Sequence, residues 1–542
     1  MIIQLTEWFD RTIIELRRHF RWSFLPPLMV YFAAGISGIT GIVGAFFVKD
    51  YLDLSAAFLA GLTFWVGLPW ALKMPIGHLV DIIWRWKALL VYFGASLIAA
   101  SLLIMYGLVT APTQMAGIMP AETWYVLSVL LAPCGYVVQD AVADAMSVEA
   151  VPRLDKSGRP LSEEASKSLH TTMQTLGRFA LISGFVAVAL LNIVMFSGVA
   201  TMSESTKAIV YGQIYLAALA IPLISISGVV LAAAQRRKKR NELRAGGLDA
   251  AEVALRLDPT GERTRPNFWY FGGGLAFAIL TITIGLSDMA FSREIVFLGS
   301  MTIVLLLMFQ IVGALEPAKA RALFGTAIII FVFRAVPLPG AGAIWFEIDI
   351  LGFDQQFLSV LTLITSVLTL VGMVIFRPLM ASKSISDIVV LLTLAAGILS
   401  LPNIGLYYGI QNWTAPLTGG IVDARFIALI DTAAESPLGQ IAMIPMLAWI
   451  ARNAPENLKA TFFAVMASFT NLALSASSLL TKYLNEFFIV TREVRNRVDG
   501  TIETAADYGE LGWLLIVVAI ISLLAPLATV FIVHQTRFRP TD

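Results

Sequence analysis

The chain has 542 residues, of which 58% are hydrophobic and 14% charged, whereas an ordinary soluble domain carries about 25% charged residues. Its 38 basic and 37 acidic side chains nearly cancel, so the charge balance gives no support to a nucleic-acid partner, and a single cysteine, Cys134, excludes an intramolecular disulfide and a cysteine-based metal cluster. The apolar residues come in runs of about 20, the length a helix needs to cross the hydrocarbon layer, which points to an all-α integral membrane protein rather than to the shorter alternating strands of a barrel.

In chain order, residues 1–23 read as a cytosolic N-terminal segment, because Glu7, Asp10 and Glu15 are mixed among its arginines in a way a cleavable signal peptide avoids. Hydropathy then predicts helices over 24–48, 55–80, 86–110, 123–148, 168–198 and 209–234, an N-terminal six-helix half at 24–234. A stretch rich in Arg, Glu and Gly at 235–266 reads as a cytosolic linker. It leads into an inserted pair within 267–315, with helices at 267–288 and 294–315. Six more helices, at 321–346, 355–377, 386–410, 423–451, 458–485 and 511–534, make a C-terminal half at 316–534, followed by a cytosolic tail at 535–542. The expected total is 14 transmembrane helices.

An even number of spans puts both termini on one side. Loops on that side hold 27 of the 38 basic residues, including Arg17, Arg18, Arg85, Lys87 and the run Arg236 to Arg240, while the other side holds 8. Basic loops tend to stay cytoplasmic, so both termini are expected in the cytoplasm of a bacterial-type inner membrane. Four of the eight exceptions fall together between Lys482 and Arg497.

Shifting the chain by 299 residues lays Phe47, Asp50, Leu52, Phe58, Leu59, Leu62, Thr63 and Met74 on Phe346, Asp349, Leu351, Phe357, Leu358, Leu361, Thr362 and Met373, and the same shift relates Arg153 to Arg452. Two six-helix halves in the same orientation form the parallel repeat of the major facilitator fold, with a ligand site between the halves near mid-membrane. After the second helix, Gly77, Leu79, Asp81, Arg85 and Lys87 come close to the facilitator signature between helices two and three, although Trp84 stands where a glycine is usual. Asp81 and Arg85 are the expected gating residues, a carboxylate at a helix end that pairs with basic groups in one conformation.

Several further segments carry a narrower resemblance. In the first half they include Tyr31, Phe32, Gly35 and Gly38, then Phe46, Phe47, Lys49, Asp50, Leu52, Leu54 and Ser55, then Pro69, Trp70, Lys73, Pro75, Gly77 and Asp81, with Asp140 and Asp144 on helix four. In the second half they include Leu438, Gly439, Gln440, Ile441, Ala442, Pro445, Ala451, Arg452 and Pro455, then Ala460, Thr461, Phe463, Ala464, Met466, Ser468 and Asn471. Together these resemble the folate-biopterin transporter (BT1) family of the major facilitator superfamily. The sequence departs from the family pattern in the inserted pair and in Pro337, Pro339 and Gly340 of helix seven, a segment that touches an expected cavity wall.

Charges inside the membrane are the functional candidates, because each costs about 2.5–3.5 kcal/mol to insert. Asp140 and Asp144 stand four apart on helix four, and Asp431 and Glu435 repeat that spacing on helix ten. Counted from the outer ends at about 1.5 Å per residue, the second pair lies roughly 12–18 Å deep and the first roughly 24–30 Å deep. These four acids are expected to couple protons to transport. The alternative is that the deeper pair binds Arg153, Arg178 or the gating segment as a structural ion pair.

Lys73, Arg178, Arg334 and Glu435 are the expected substrate-binding residues. The three cations need anionic partners, which the carboxylates of a folate-like solute would supply, while an acid could accept from the amino-pyrimidinone edge of a pterin. Trp65, Trp70 and Trp345 could stack on such a ring or belong to interfacial belts, and the belt is the favoured reading. His78 and His170 sit at helix ends, and no spacing suggests a metal, a cofactor or a catalytic site.

The resemblance thus implies a secondary transporter that carries folate, biopterin or a related pterin-like or anionic solute by alternating access. The staggered acids add the expectation of proton symport, the lack of a catalytic constellation that of a protein that is not an enzyme, and a monomer is expected. A non-transporting facilitator-fold protein, such as a pigment-assembly or sensing factor, is the competing reading.

Overall fold

The computed structural model describes residues 21–540 apart from 53, 72, 84–85, 152–162, 200–201, 258–267, 286, 288, 313–316, 377–378, 380–382, 440, 444–445, 447–458 and 496–501. Nearly all of the described chain is helical. The first span is built from α1 (Leu25–Ile36) and α2 (Gly41–Tyr51), joined by one 3-10 turn, and the second from α3 (Ala56–Ala71) and α4 (Lys73–Ile82). Next come α5 (Lys87–Thr110), α6 (Ala121–Ala150), α7 (Glu163–Met195), α8 (Glu204–Ala218) and α9 (Ala220–Ala245). The short α10 (Ala250–Leu257) precedes the inserted pair, α11 (Phe268–Gly285) and α12 (Ser292–Val312). The last spans are α13 (Pro317–Arg334) with α14 (Ala341–Asp349), α15 (Gln355–Ile375), α16 (Ile385–Leu399) with α17 (Leu401–Tyr407), α18 (Ala424–Glu435), α19 (Lys459–Phe487) and α20 (Leu511–Gln535). The strands are a two-residue and a three-residue piece, β1 (Val494–Arg495) and β2 (Ile502–Thr504), paired antiparallel between α19 and α20.

Ten stretches among the described residues are long and apolar enough to cross a membrane, from Trp22–Val48 to Leu511–Gln535. The other four expected spans differ for identifiable reasons. The apolar part of α11 is the shorter Phe271–Gly285, and α18 leads into residues outside the described set. The 29 residues of α19 include Ser468, Thr470, Asn471, Ser475, Ser477, Ser478 and Thr481, which lower its hydropathy. The fourth, expected as one helix over 321–346, is broken. Pro337 and Pro339 lack amide donors and disfavour helix in the residues before them, and the chain is non-helical from 335 to 340, where Gly340 has φ +82°.

Backbone groups freed inside a bilayer must find partners within the protein. Here α19 supplies them: Thr481 Oγ1 accepts from the Leu338 amide at 2.9 Å, Ser477 Oγ donates to the Val336 carbonyl at 2.6 Å, and Asn485 Nδ2 donates to the Pro339 carbonyl at 3.1 Å. The polar residues that make α19 a poor span on hydropathy therefore hold the broken helix together.

The region expected as a linker also differs, since α9 continues through the basic run Arg236 to Arg240 and ends at Ala245. Small residues set the close helix crossings. A Cβ on Gly35 would lie 2.0 Å from the Leu181 carbonyl oxygen, and one on Gly184 would lie 2.7 Å from the Gly35 backbone, so α1 and α7 cross at a point where only glycine fits. Between the first and the last group of spans, α3 packs along α19 and α7 along α15. The inserted pair lies over the α3–α19 seam: Gly285 meets Trp65, Gly274 meets Pro75, and Lys482 on α19 pairs with Glu294 on α12 at 3.6 Å.

Candidate functional site

The first charged cluster follows from helical spacing. Asp140 and Asp144 share one face of α6, and that face meets α4, where Lys73 Nζ lies 2.6 Å from Asp140 Oδ2 and 2.6 Å from Asp144 Oδ2. Tyr31 on α1 donates its hydroxyl to Asp144 Oδ1 at 2.7 Å. Arg178 on α7 is near enough to act electrostatically on Asp140. The Lys73 and Asp140 side chains are about one-fifth exposed, while Asp144 is 42% exposed. Two cations and two carboxylates from three helices thus offset each other, and Tyr31 ties a fourth helix to them.

In the second group of spans, charge is distributed differently. Arg334 is the last residue of α13, next to the break, and its Nε donates to the Thr470 carbonyl of α19 at 3.2 Å. No carboxylate pairs with it among the described residues. A small cavity of ≈ 30 Å³ beside it is walled by apolar side chains, among them Ile330, Phe333, Ile388, Val389 and Met446. Low-dielectric walls strengthen the attraction of a guanidinium for an anion, and a planar fork of donors suits a carboxylate.

The acids of this region lie apart from that arginine. Asp431 on α18 is 6% exposed; its Oδ2 accepts from Asn403 Nδ2 of α17 at 3.0 Å, and its Oδ1 has no hydrogen-bond partner among the described residues. Glu435 is one turn further along the same face, and Glu347 on α14 also interacts electrostatically with Asp431. Three carboxylates therefore share one neighbourhood.

The sequence profile of the BT1 family matches residues 34–540, which include both groups of spans and the inserted pair. The chain belongs to the BT1 family. A protein of Synechocystis sp. described as "Folate-biopterin transporter" is 22% identical over 472 residues, covering 85% of this chain and 75% of that one. A "Putative folate transporter 2" of Plasmodium berghei (strain Anka) is 28% identical over 182 residues, covering 32% of this chain and 38% of that one. Among solved structures, a POT family transporter in complex with 5-aminolevulinic acid superposes with a TM-score of 0.59 at 12% identity, covering 95% of this chain and 96% of that one. A peptide transporter POT in complex with alafosfalin gives 0.55 at 13% identity, covering 94% of each chain. The fold of this BT1 protein is thus that of the major facilitator transporters, in a multi-pass integral membrane protein.

Within the BT1 chain, the residues expected to bind substrate and those expected to move protons do not form two separate sets. Lys73, expected at the substrate, is held by Asp140 and Asp144, expected at the proton path. Arg178 stands beside them. Arg334 and Glu435 lie in the other group of spans. Of the gating residues, Asp81 is on α4 with its side chain outside the described set, and Arg85 is outside it altogether, as is Arg153. Trp345 does not face a cavity: it is 2% exposed and lies under the guanidinium of Arg492, 4.8 Å from its Cζ.

Four participants were not singled out as site residues from the sequence. Tyr31 and Asn403 are ordinary polar residues on apolar helices, and only their three-dimensional partners distinguish them. Glu347 lies one residue beyond the expected helix end at 346, whereas α14 continues to Asp349. Arg492 did leave a signal, as one of the four basic residues that run against the charge bias.

Proposed function

We propose that this BT1 protein is a secondary transporter of folate, biopterin or a related pterin-like anion, working by alternating access with proton symport. The observation that carries this reading is Arg334. It is a guanidinium partway along an expected span, beside a small apolar cavity, with a backbone carbonyl as its hydrogen-bond partner and no paired carboxylate among the described residues. A charge of that kind is costly to keep unless a ligand answers it, and a glutamate-type carboxylate is the ligand its geometry suits. The two relatives, one a folate-biopterin transporter and the other a putative folate transporter by name, agree with that chemistry.

Glu435, Asp431 and Glu347 act as the proton-loading group in this scheme. They are separated from Arg334, so they can gain and lose a proton without cancelling the charge that holds the solute. Asp140 and Asp144, neutralised by Lys73, serve mainly to bind α1, α4 and α6 to one another.

Thermal-shift screening of the purified protein against folates and pterins tests the substrate class. A true ligand at about 100 times its Kd adds about 2.7 kcal/mol of stability by mass action. A shift with folates or pterins that disappears in Arg334→Ala is the expected result. A shift that survives the substitution would move the anion site elsewhere, and the lack of any shift with either compound class would overturn the substrate assignment.

A further inference from the structure

The eight basic residues on the side opposite the termini look like exceptions to charge sorting, and for two of them the structure supplies a local ion pair. Lys482 pairs with Glu294 and Glu486, and Arg425 pairs with Asp354 at 3.3 Å within the second group of spans. Arg492 is different. It is 3% exposed, and it reaches from the connection between α19 and α20 into the first group of spans, where Nη1 donates to the Leu54 carbonyl at 3.1 Å and Nη2 to the Val48 carbonyl at 2.9 Å. Val48 lies in the last turn of α2, whose exposed carbonyls and dipole favour a cation.

The described residues on either side of Arg492 are tied down by hydrogen bonds. Thr491 and Asp507 exchange backbone hydrogen bonds at 3.0 and 2.9 Å, β1 pairs with β2, and Tyr407 donates to the carbonyls of Tyr508 and Gly509, both at 3.0 Å. Tyr508 donates to Asp349 Oδ2 at 2.5 Å, and burial, reinforced by that carboxylate, pushes its phenol well above the usual tyrosine range and so keeps it a donor. The hairpin, α14 and α17 therefore behave as one body. Around Arg492 the two groups of spans also meet through Gln355, which donates to the Tyr211 hydroxyl at 2.9 Å, and through Ala56 packed with Trp345, Val490 and Leu511.

We infer that Arg492 is the bolt of the far-side gate: it closes the side opposite the termini by joining the hairpin of the last spans to the α2–α3 corner of the first. This rests on the alternating-access reading. A guanidinium suits the task because water replaces the two carbonyls when the halves part, so the bolt can be withdrawn without stranding a buried charge, and the Trp345 face and the α2 dipole draw it back.

The test follows distance rather than transport. With Cys134 replaced by Ser, cysteines at Ile118 and Leu417, both exposed and on the far side in different groups of spans, carry spin labels whose separation is measured by pulsed electron resonance in lipid nanodiscs. In the parent protein the short, far-side-closed separation dominates. Arg492→Ala removes both hydrogen bonds and is expected to raise the population of longer separations by about tenfold or more, since each hydrogen bond to a charged group is worth about that factor or more. Arg492→Lys, which keeps the charge but has no rigid fork, gives an intermediate shift and provides a reading if the alanine variant does not fold. Arg425→Ala, which breaks a pair within one group of spans, leaves the distribution unchanged. Parent-like distributions in both Arg492 variants would overturn the proposal. No solute is needed, so a failed substrate screen and a failed gate give different results.

Discussion

In the first six spans the intramembrane cation Lys73 is clasped by two carboxylates, whereas in the last six Arg334 stands apart from Glu347, Asp431 and Glu435. The same residue types are thus used in opposite ways. Opposite charges in contact cancel and fasten helices, and their removal is felt as lost stability. Opposite charges kept apart leave each free to meet something that arrives from outside, and their removal is felt as lost function.

Lys73→Met is the strongest way to break this contrast. It leaves Asp140 and Asp144 without their cation, and losing one partner of a buried pair costs about 3–5 kcal/mol; with Asp144 42% exposed, the lower end, about 3 kcal/mol, is expected. Thermal denaturation in detergent measures it, and adding Asp140→Asn should restore part of the loss. A Lys73→Met protein as stable as its parent would show that the cluster fastens nothing.

Arg334→Met is expected to do the reverse. Stability stays level or rises, because an unneutralised charge is replaced by an apolar side chain, while affinity for the anionic solute falls roughly 100-fold, within the range for truncating one partner of a buried charge pair. Isothermal titration beside a melting curve separates the two effects. A loss of both together would place Arg334 with Lys73 as a structural residue.

Next comes Glu435→Gln. Coupling to one proton allows accumulation to change by at most about tenfold per unit of pH gradient, and the variant should lose that dependence while still exchanging solute across proteoliposomes at equal pH. Unchanged accumulation would remove Glu435 from the proton path. Tyr31→Phe, the smallest change, deletes one hydrogen bond to Asp144 and should lower stability by about 1 kcal/mol without altering solute affinity.

The sequence was informative wherever a property is periodic or summed along the chain. Apolar runs marked the helices, and the four-residue spacing of Asp140 and Asp144 predicted the shared face that meets Lys73. It was uninformative about partners across space: Lys73 and Asp140 are 67 positions apart, and nothing local states that their helices meet at that depth. The break near Pro337 shows a different limit. Hydropathy is indifferent to whether an apolar stretch keeps its helical hydrogen bonds, so the two prolines suggested an altered cavity wall while the helix was still expected to continue. Arg492 was visible as an anomaly of charge sorting, and its explanation lay 438 and 444 residues away at Leu54 and Val48.

The interruption between α13 and α14, from Arg334 to Gly340, also has a mechanical side. Arg334 ends one helical piece, and Trp345, against which Arg492 rests, belongs to the next. An unbroken helix would move both as a single rod. Two pieces joined by six residues, whose backbone is held by side chains of α19 rather than by helical hydrogen bonds, can change the angle between them without breaking a bond inside either. The knee thus lies midway along one span, with an anion-seeking residue at the end of its first piece and the seat of the far-side gate on its second.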